Sequence, residues 1–466
     1  MSLLVEYVRR FGLFQRNARL YLINNVLTGV TTGMLLLLYN LYLSSLHYRA
    51  DFIGLVLLVG TLGAGIAIFP AGILIDRFSG KTILIYSTVL IAIAGACQIL
   101  FRQPVPLLLS AFCAGVAASF SLVINAPFLT NNSTPVERPH LFSLNLSLIL
   151  ITAVIGKLLG GFMPVWLRSQ SWLMFSLPVR LSFLLVSDPV ARAYELSLLF
   201  AGIIAAPGFI PLFLMEDDRH LHPARAQNAA SISLRERLRS LSVGMQTWIR
   251  QKGLLARLSS PIVLIAIVMG LRGLGEGFFL PYFNLYFVNH LGVSTALFGL
   301  IDSATTCIAA VLTLGAPWLA ERIGKLPTII FTQLVSIPML VTLGFVGFVP
   351  LVIVFYTLRY GSMNMADGLL DVFSMEAVPD RQRGLANSSY QAVFQAASAI
   401  STPLGGVMIV ALGYMPIFLS GAACYLLGVV LLWSWFGHRR TRQTEPDHTQ
   451  LPDVVQGNPE GAHPLI

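Results

Sequence analysis

Charge is what this sequence has least of. Only 11% of its 466 residues are Asp, Glu, Lys or Arg, whereas 56% are hydrophobic, and the mean hydropathy is +0.76. A soluble domain carries about 25% charged residues. So little charge cannot cover a water-soluble fold of this length, and the composition implies an integral membrane protein. Cysteine is scarce as well. The four, Cys97, Cys113, Cys307 and Cys424, all fall inside apolar runs at spacings that fit no metal motif. They read as small buried residues, and no metal or cofactor is expected. Neither HExxH nor GxSxG occurs, and all eight histidines fall outside the apolar runs, which argues against an intramembrane enzyme. No cleavable signal peptide is expected either: Arg9, Arg10, Arg16 and Arg19 crowd the first residues, and no small-residue cleavage site follows the first apolar run.

What the sequence has is long apolar runs. A helix needs about 20 mainly apolar residues to cross a bilayer. Such runs lie near 20–45, 52–75, 82–101, 105–131, 141–163, 193–215, 261–288, 296–320, 326–348, 350–375, 385–412 and 414–436. Lys and Arg set their orientation. With the N-terminus inside, 22 of the 30 fall in cytoplasmic segments and five (Arg49, Arg102, Arg168, Arg180 and Arg192) fall outside. Lys157, Arg272 and Arg359 remain within spans. This asymmetry accounts for the formal charge of +9 by facing it to anionic lipid rather than nucleic acid. It predicts a multi-pass protein of the cell membrane, monomeric, with both termini cytoplasmic.

The expected organisation is a cytoplasmic amphipathic segment (1–19), a six-helix bundle (20–215), a cytoplasmic linker (216–258), a second six-helix bundle (259–436) and a polar, disordered tail (437–466). In the first segment Leu4, Val8, Phe11 and Phe14 share one helical face, as in a helix lying on the membrane. Residues 164–192 contain LMFSLPVRLSFLLV, broken by Pro178 and Arg180, and read as an outer loop or an interfacial segment.

The halves repeat one another at an offset of 244 or 245 residues. YNLYL (39–43) returns as FNLYF (283–287), and LTGVTTGMLL (27–36) as LRGLGEGFFL (271–280), aligning Gly29 with Gly273 and Gly33 with Gly277. FIGLV (52–56) returns as LFGLI (297–301), and LLGGFM (158–163) as PLGGVM (403–408), whose glycine pairs read as sites of close helix packing. Pro135 aligns with Pro379, and PAGILIDRFSGK (70–81) with GAPWLAERIGK (315–325). Parallel six-span repeats are a common way to build a transporter. The aromatics Tyr39, Tyr42, Tyr282, Phe283 and Tyr286 gather at the outer ends of spans one and seven. They read as an interfacial belt or as a lid over a cavity.

PAGILIDRFSGK resembles motif A of the major facilitator superfamily, the Gly-x-x-x-Asp-Arg-x-Gly-Arg-Lys loop between spans two and three. Gly72, Asp76, Arg77 and Lys81 match it, while Ser79 and Gly80 depart from the usual Gly and Arg. The second copy keeps Glu321, Arg322, Gly324 and Lys325 but has Pro317 at the leading glycine. The resemblance implies an all-α membrane protein of twelve transmembrane helices in two pseudo-symmetric six-helix bundles. It also implies a cytoplasmic gate at these residues, joined by Asp371, Glu376, Arg381 and Arg383. Gly72 is expected to permit close helix approach.

The resemblance further implies that spans one, four, seven and ten line a central cavity. Ionisable residues inside a membrane are costly and point to function. Arg272 and Glu276 are four apart on span seven, so they share a face and are expected to pair. Span ten carries Arg359 and Asp367. The aligned first-half positions are Thr28 and Thr32. This predicts an asymmetric cavity, with Thr28, Thr32, Asn40 and Asn125 on one wall and the charges on the other, and with Asn284 near its mouth. Glu276 or Asp367 is expected to take up a proton, Arg272 or Arg359 to tune it or hold an anion, and Lys157 to contact the solute or an acid. The expected function is proton-coupled secondary transport of a small solute, with export ahead of import. Uptake or facilitated passage of a sugar, an organic anion or another metabolite is the alternative, and a non-transporting receptor or scaffold comes last.

Overall fold

The structure, a computed structural model of the chain, describes residues 14–134, 137–171, 185–217, 260–378 and 383–437. Twelve long helices occupy them. They are α1 (Arg16–Ser45), α2 (Ala50–Arg77), α3 (Gly80–Leu100), α4 (Pro104–Asn131), α5 (Arg138–Arg168), α6 (Pro189–Leu214), α7 (Pro261–His290), α8 (Thr295–Ile323), α9 (Lys325–Phe345), α10 (Val349–Glu376), α11 (Arg383–Leu412) and α12 (Met415–Phe436). All but α10 contain a stretch long and apolar enough to cross a membrane. At 28 residues α10 has the length, but Arg359, Asn364, Asp367 and Asp371 dilute its apolar character. The helix least suited to lipid is one that was expected to line the path.

Local chemistry sets the helix starts. Ser79, Asp188 and Ser294 each accept a backbone N–H from three residues on, capping α3, α6 and α8. Pro104, Pro189 and Pro261 open α4, α6 and α7, where a missing N–H costs nothing. The turn after α1 has His47 at φ 67°, and the equivalent turn after α7 has Gly292 at φ 69°. The motif turns differ more. Gly324 takes φ 91°, whereas Ser79, its counterpart, is extended and spends its hydroxyl on the cap. The departure from the motif glycine thus has a local reason.

The packing repeats as the sequence does. α1 lies against α5 and α6, as α7 lies against α11 and α12. α4 packs on α2 and α3, as α10 packs on α8 and α9. The repeated glycines make these contacts: a Cβ on Gly33 would strike the backbone of Ala153 on α5, and one on Gly273 that of Phe394 on α11. The halves meet along two seams, α2 with α11 and α5 with α8. There a Cβ on Gly54 would lie 2.8 Å from the Cα of Pro403, and one on Gly161 would lie 2.9 Å from that of Gly299. Both GLV-type echoes and both Gly-Gly echoes are therefore contact points.

Several expectations change. Gly72 makes no close approach, since a Cβ there would meet nothing within 4 Å. The expected loop 164–192 is shorter: α5 continues through Pro164 to Arg168, and α6 begins at Pro189. Arg192, expected outside the membrane in that loop, is buried in the first turn of α6. Its guanidinium donates to the carbonyls of Val186 and Ser187 at 2.8 and 2.7 Å, tying down the end of the loop. The N-terminal face of Leu4, Val8 and Phe11, most of the linker and the tail lie outside the described residues.

Candidate functional site

The two copies of the repeated phrase meet at one end of the molecule. Asn40 donates through Nδ2 to the carbonyl of Pro281 at 2.7 Å, and Asn284 donates through Nδ2 to the carbonyl of Leu37 at 3.0 Å. Donors 40 and 284, and acceptors 37 and 281, are each 244 apart, so the contact is reciprocal, as in an isologous dimer interface. The Leu285 N–H, which would meet the Pro281 carbonyl in a regular helix, donates to Asn284 Oδ1 at 2.9 Å, and α7 here passes through a 3₁₀ turn at Leu280–Tyr282 and a π turn at Tyr286–His290. The tyrosines repeat as well. Tyr42 donates to the carbonyl of Ile99 at 2.6 Å, and Tyr286 to that of Leu343 at 2.5 Å, each near the end of the third helix of its half. Tyr42, Tyr282, Phe283 and Tyr286 are buried, so they do not form an interfacial belt. They close this end of the molecule, as a lid would. Together these bonds form a clasp.

Beneath the clasp lies a cavity of about 600 Å³ between the halves. Thr32, Asn40, Gln98, Asn284 and Ser398 supply neutral polar groups to its wall, and Lys157 and Asp302 supply its charges. Lys157 on α5 places Nζ 3.0 Å from Asp302 Oδ2 on α8 and donates to Thr306 Oγ1 at 3.2 Å. Tyr356 donates to Asp302 Oδ1 at 2.8 Å. The pair crosses one seam, a turn from Gly161 and Gly299. Asp302 was not anticipated. The available signal was a lone acid in an apolar span, three residues after a repeated glycine.

The charges of α7 and α10 form a separate cluster. Arg272 places Nη2 3.0 Å from Glu276 Oε1 and 2.6 Å from Asp367 Oδ1. The expected pair on α7 is present, and Asp367 completes a triad. On α10, Tyr356 and Tyr360 line the cavity, and Asp367 lies seven residues on, about 10 Å farther from the clasp. The cluster therefore stands between the cavity and the opposite end, not on the cavity wall where it was expected. Arg359 is buried in an aromatic cage, 4.5 Å over Phe279, and donates to the Tyr425 hydroxyl at 2.9 Å. Of the expected neutral wall, Thr32 and Asn40 line the cavity and Thr28 and Asn125 do not. Thr28 bonds its own helix at the Asn24 carbonyl, and Asn125 accepts from Tyr21 at 3.2 Å within the first half.

At the opposite end Asp76 and Arg77 close α2. Lys81 donates to the carbonyls of Phe213 and Met215 at 2.9 and 2.6 Å, satisfying the C-terminal end of α6. Lys325 pairs with Glu376 at the end of α10, and Arg322 stacks over Trp318 at 4.2 Å. Glu321 and Asp371 are exposed, Arg383 opens α11, and Arg381 lies outside the described residues. The bonds of Lys81 and Lys325 stay within their own halves, as do those of Tyr42 and Tyr286, whereas the asparagine bonds of the clasp join the halves. Among the described residues no group of three or more His, Cys, Asp or Glu gathers to hold a metal.

The family model for the Major Facilitator Superfamily matches residues 21–271 and again 265–459, about one match per half. The chain belongs to the major facilitator superfamily. Similar solved structures include a D-xylose–proton symporter, at 14% identity and TM-score 0.67 over 90% of this chain and 97% of that one. A bacterial homologue of the iron transporter ferroportin, in an inward-facing state, has 16% identity and TM-score 0.67 over 90% and 98%. A bacterial homologue of the human lysosomal transporter Spinster, inward-facing and unoccupied, has 12% identity and TM-score 0.66 over 91% and 96%. At these identities the likeness concerns the fold. As a superfamily member the chain is a multi-pass membrane transporter of small solutes, built as twelve helices in two related bundles.

Proposed function

We propose that this transporter couples solute movement to protons, with the solute in the cavity beneath the clasp and the proton in the Arg272–Glu276–Asp367 cluster. One observation carries the reading: two carboxylates share one guanidinium. With both acids ionised the cluster has an anion in excess; with one protonated it is a balanced ion pair. Uncompensated charge inside a membrane protein is costly, so the two states favour different surroundings. Glu276 is on α7 and Asp367 on α10, so taking up a proton alters the bond between two helices where the path leaves the cavity. Release of the clasp and closure of the opposite end would complete alternating access. The excess of Lys and Arg in the expected cytoplasmic segments supports a clasp that faces outward, in the cell membrane, with both termini inside.

The test is reconstitution into liposomes with an imposed pH gradient and a panel of labelled solutes: a sugar, a nucleoside, an organic anion and an amino acid. Gradient-driven accumulation is expected in the wild type. Glu276→Gln is expected to lose accumulation and keep gradient-free exchange. No response to the gradient in the wild type would remove proton coupling, and unchanged accumulation in the variant would remove Glu276 as the coupling group. Reversing the gradient reads the direction, with export the first expectation.

A further inference from the structure

The charges on the cavity wall come from opposite halves and touch each other, at Lys157 Nζ and Asp302 Oδ2. The other seam is a control within the molecule. Its equivalent positions, 245 residues away, are Thr402 and Leu57, neither of them charged. The fold does not need an ion pair there, and a buried pair adds little or no stability over apolar residues of similar volume. Its presence on the wall of the cavity points to recognition. We infer that the cavity takes a zwitterionic solute, whose anionic group meets Lys157 and whose cationic group meets Asp302, each replacing the other as partner. This rests on the cavity being the solute site.

Charge balance selects the class. With the pair intact the wall is neutral overall. A singly charged solute would engage one member and leave the other uncompensated, with each side chain only 14% exposed. A neutral solute would leave both charges engaged with each other and unread. A zwitterion parts the pair and keeps both charges matched. The remaining partners permit this: Tyr356 still holds Asp302 Oδ1 while Oδ2 turns to the solute, and Thr306 still accepts from Lys157. Beside its neutral polar groups the wall carries Leu35, Phe283, Phe298 and Tyr360, which gives an apolar body of the solute surface to pack on.

The experiment is calorimetric titration of the full chain in nanodiscs with four probes that share a phenyl group: L-phenylalanine, 3-phenylpropionate, phenethylammonium and phenethyl alcohol. L-Alanine serves as a second, smaller zwitterion. L-Phenylalanine is expected to bind at least tenfold more tightly than the other three phenyl probes. Asp302→Asn is expected to reorder the series toward the anion, Lys157→Met toward the cation, and the exchange Lys157→Asp with Asp302→Lys to restore the zwitterion. Should a variant fail to fold, the wild-type order decides. A neutral or singly charged probe ahead of L-phenylalanine, or no binding by either zwitterion, overturns the inference. Binding is read without flux or a pH gradient, so this result and that of the coupling experiment stand apart.

Discussion

In the first half Asn40 and Tyr42 bond Pro281 and Ile99; in the second, Asn284 and Tyr286 bond Leu37 and Leu343. Two to three turns earlier the halves part. Thr28 and Thr32 on α1 are bonded to their own helix, whereas Arg272 and Glu276 on α7 reach Asp367 on α10. The position on α4 that answers Asp367 is Val123. The seams divide in the same manner, one carrying Lys157 and Asp302, the other Thr402 and Leu57 at the equivalent positions. If the clasp is the gate proposed above, equal grips from both halves account for the repeat there. The proposed coupling site needs to exist only once, in keeping with its absence from the other half.

The largest predicted effect comes from writing first-half residues into the second. Arg272→Thr with Glu276→Thr is expected to abolish gradient-driven accumulation in liposomes while exchange persists. The reverse change, Thr28→Arg with Thr32→Glu, gains no second coupling site, because Val123 offers no acid. Next come the seams. Asp302→Ala strands Lys157 and is expected to cost about 3 kcal/mol in thermal or denaturant stability, partly recovered by adding Lys157→Met. Thr402→Ala on the other seam is expected to cost about 1 kcal/mol or less. Gly161→Ala pushes a methyl against Gly299 and is expected to cost about 1–3 kcal/mol. Smaller still are Asn40→Ala and Asn284→Ala, each about 1 kcal/mol and equal within error, read as the same shift in cysteine accessibility at the clasp. Unequal shifts would break the symmetry claimed for it. Gly72→Ala is expected to change stability by less than about 0.5 kcal/mol, which separates the motif's glycine from the contact glycines.

Much of this was legible in the sequence. The twelve spans follow from run length, and their helices end within about five residues of the runs. The repeat is a pattern along the chain, so Gly33 with Gly277 and Gly161 with Gly406 could be matched before their contacts were seen. What stayed hidden was pairing through space. The clasp acceptors are carbonyls of Leu37 and Pro281, and side-chain identity does not mark a carbonyl. Lys157 was visible as an oddity, but its partner Asp302 belongs to the other half and to a helix outside the four expected to line the path. Arg272 with Glu276 was readable because helical spacing fixes that contact; the third member, Asp367, came only with the approach of α10. Gly72 was read as a packing contact from its motif position, whereas here a Cβ on it would meet nothing within 4 Å among the described residues.

Protonation in the second half is proposed to govern a clasp that both halves share. Spin labels in the equivalent turns after α1 and α7, near His47 and Gly292, give the distance across that clasp by pulsed electron paramagnetic resonance. No solute is needed. The wild-type distribution is expected to shift between a short and a long distance as pH changes, and Glu276→Gln to give one distribution at every pH. His290 stacks on Tyr286 at the clasp and Asp367 shares Arg272, so the variant is the decisive comparison. A wild-type distribution indifferent to pH, or a Glu276→Gln distribution that still moves with it, would contradict the account.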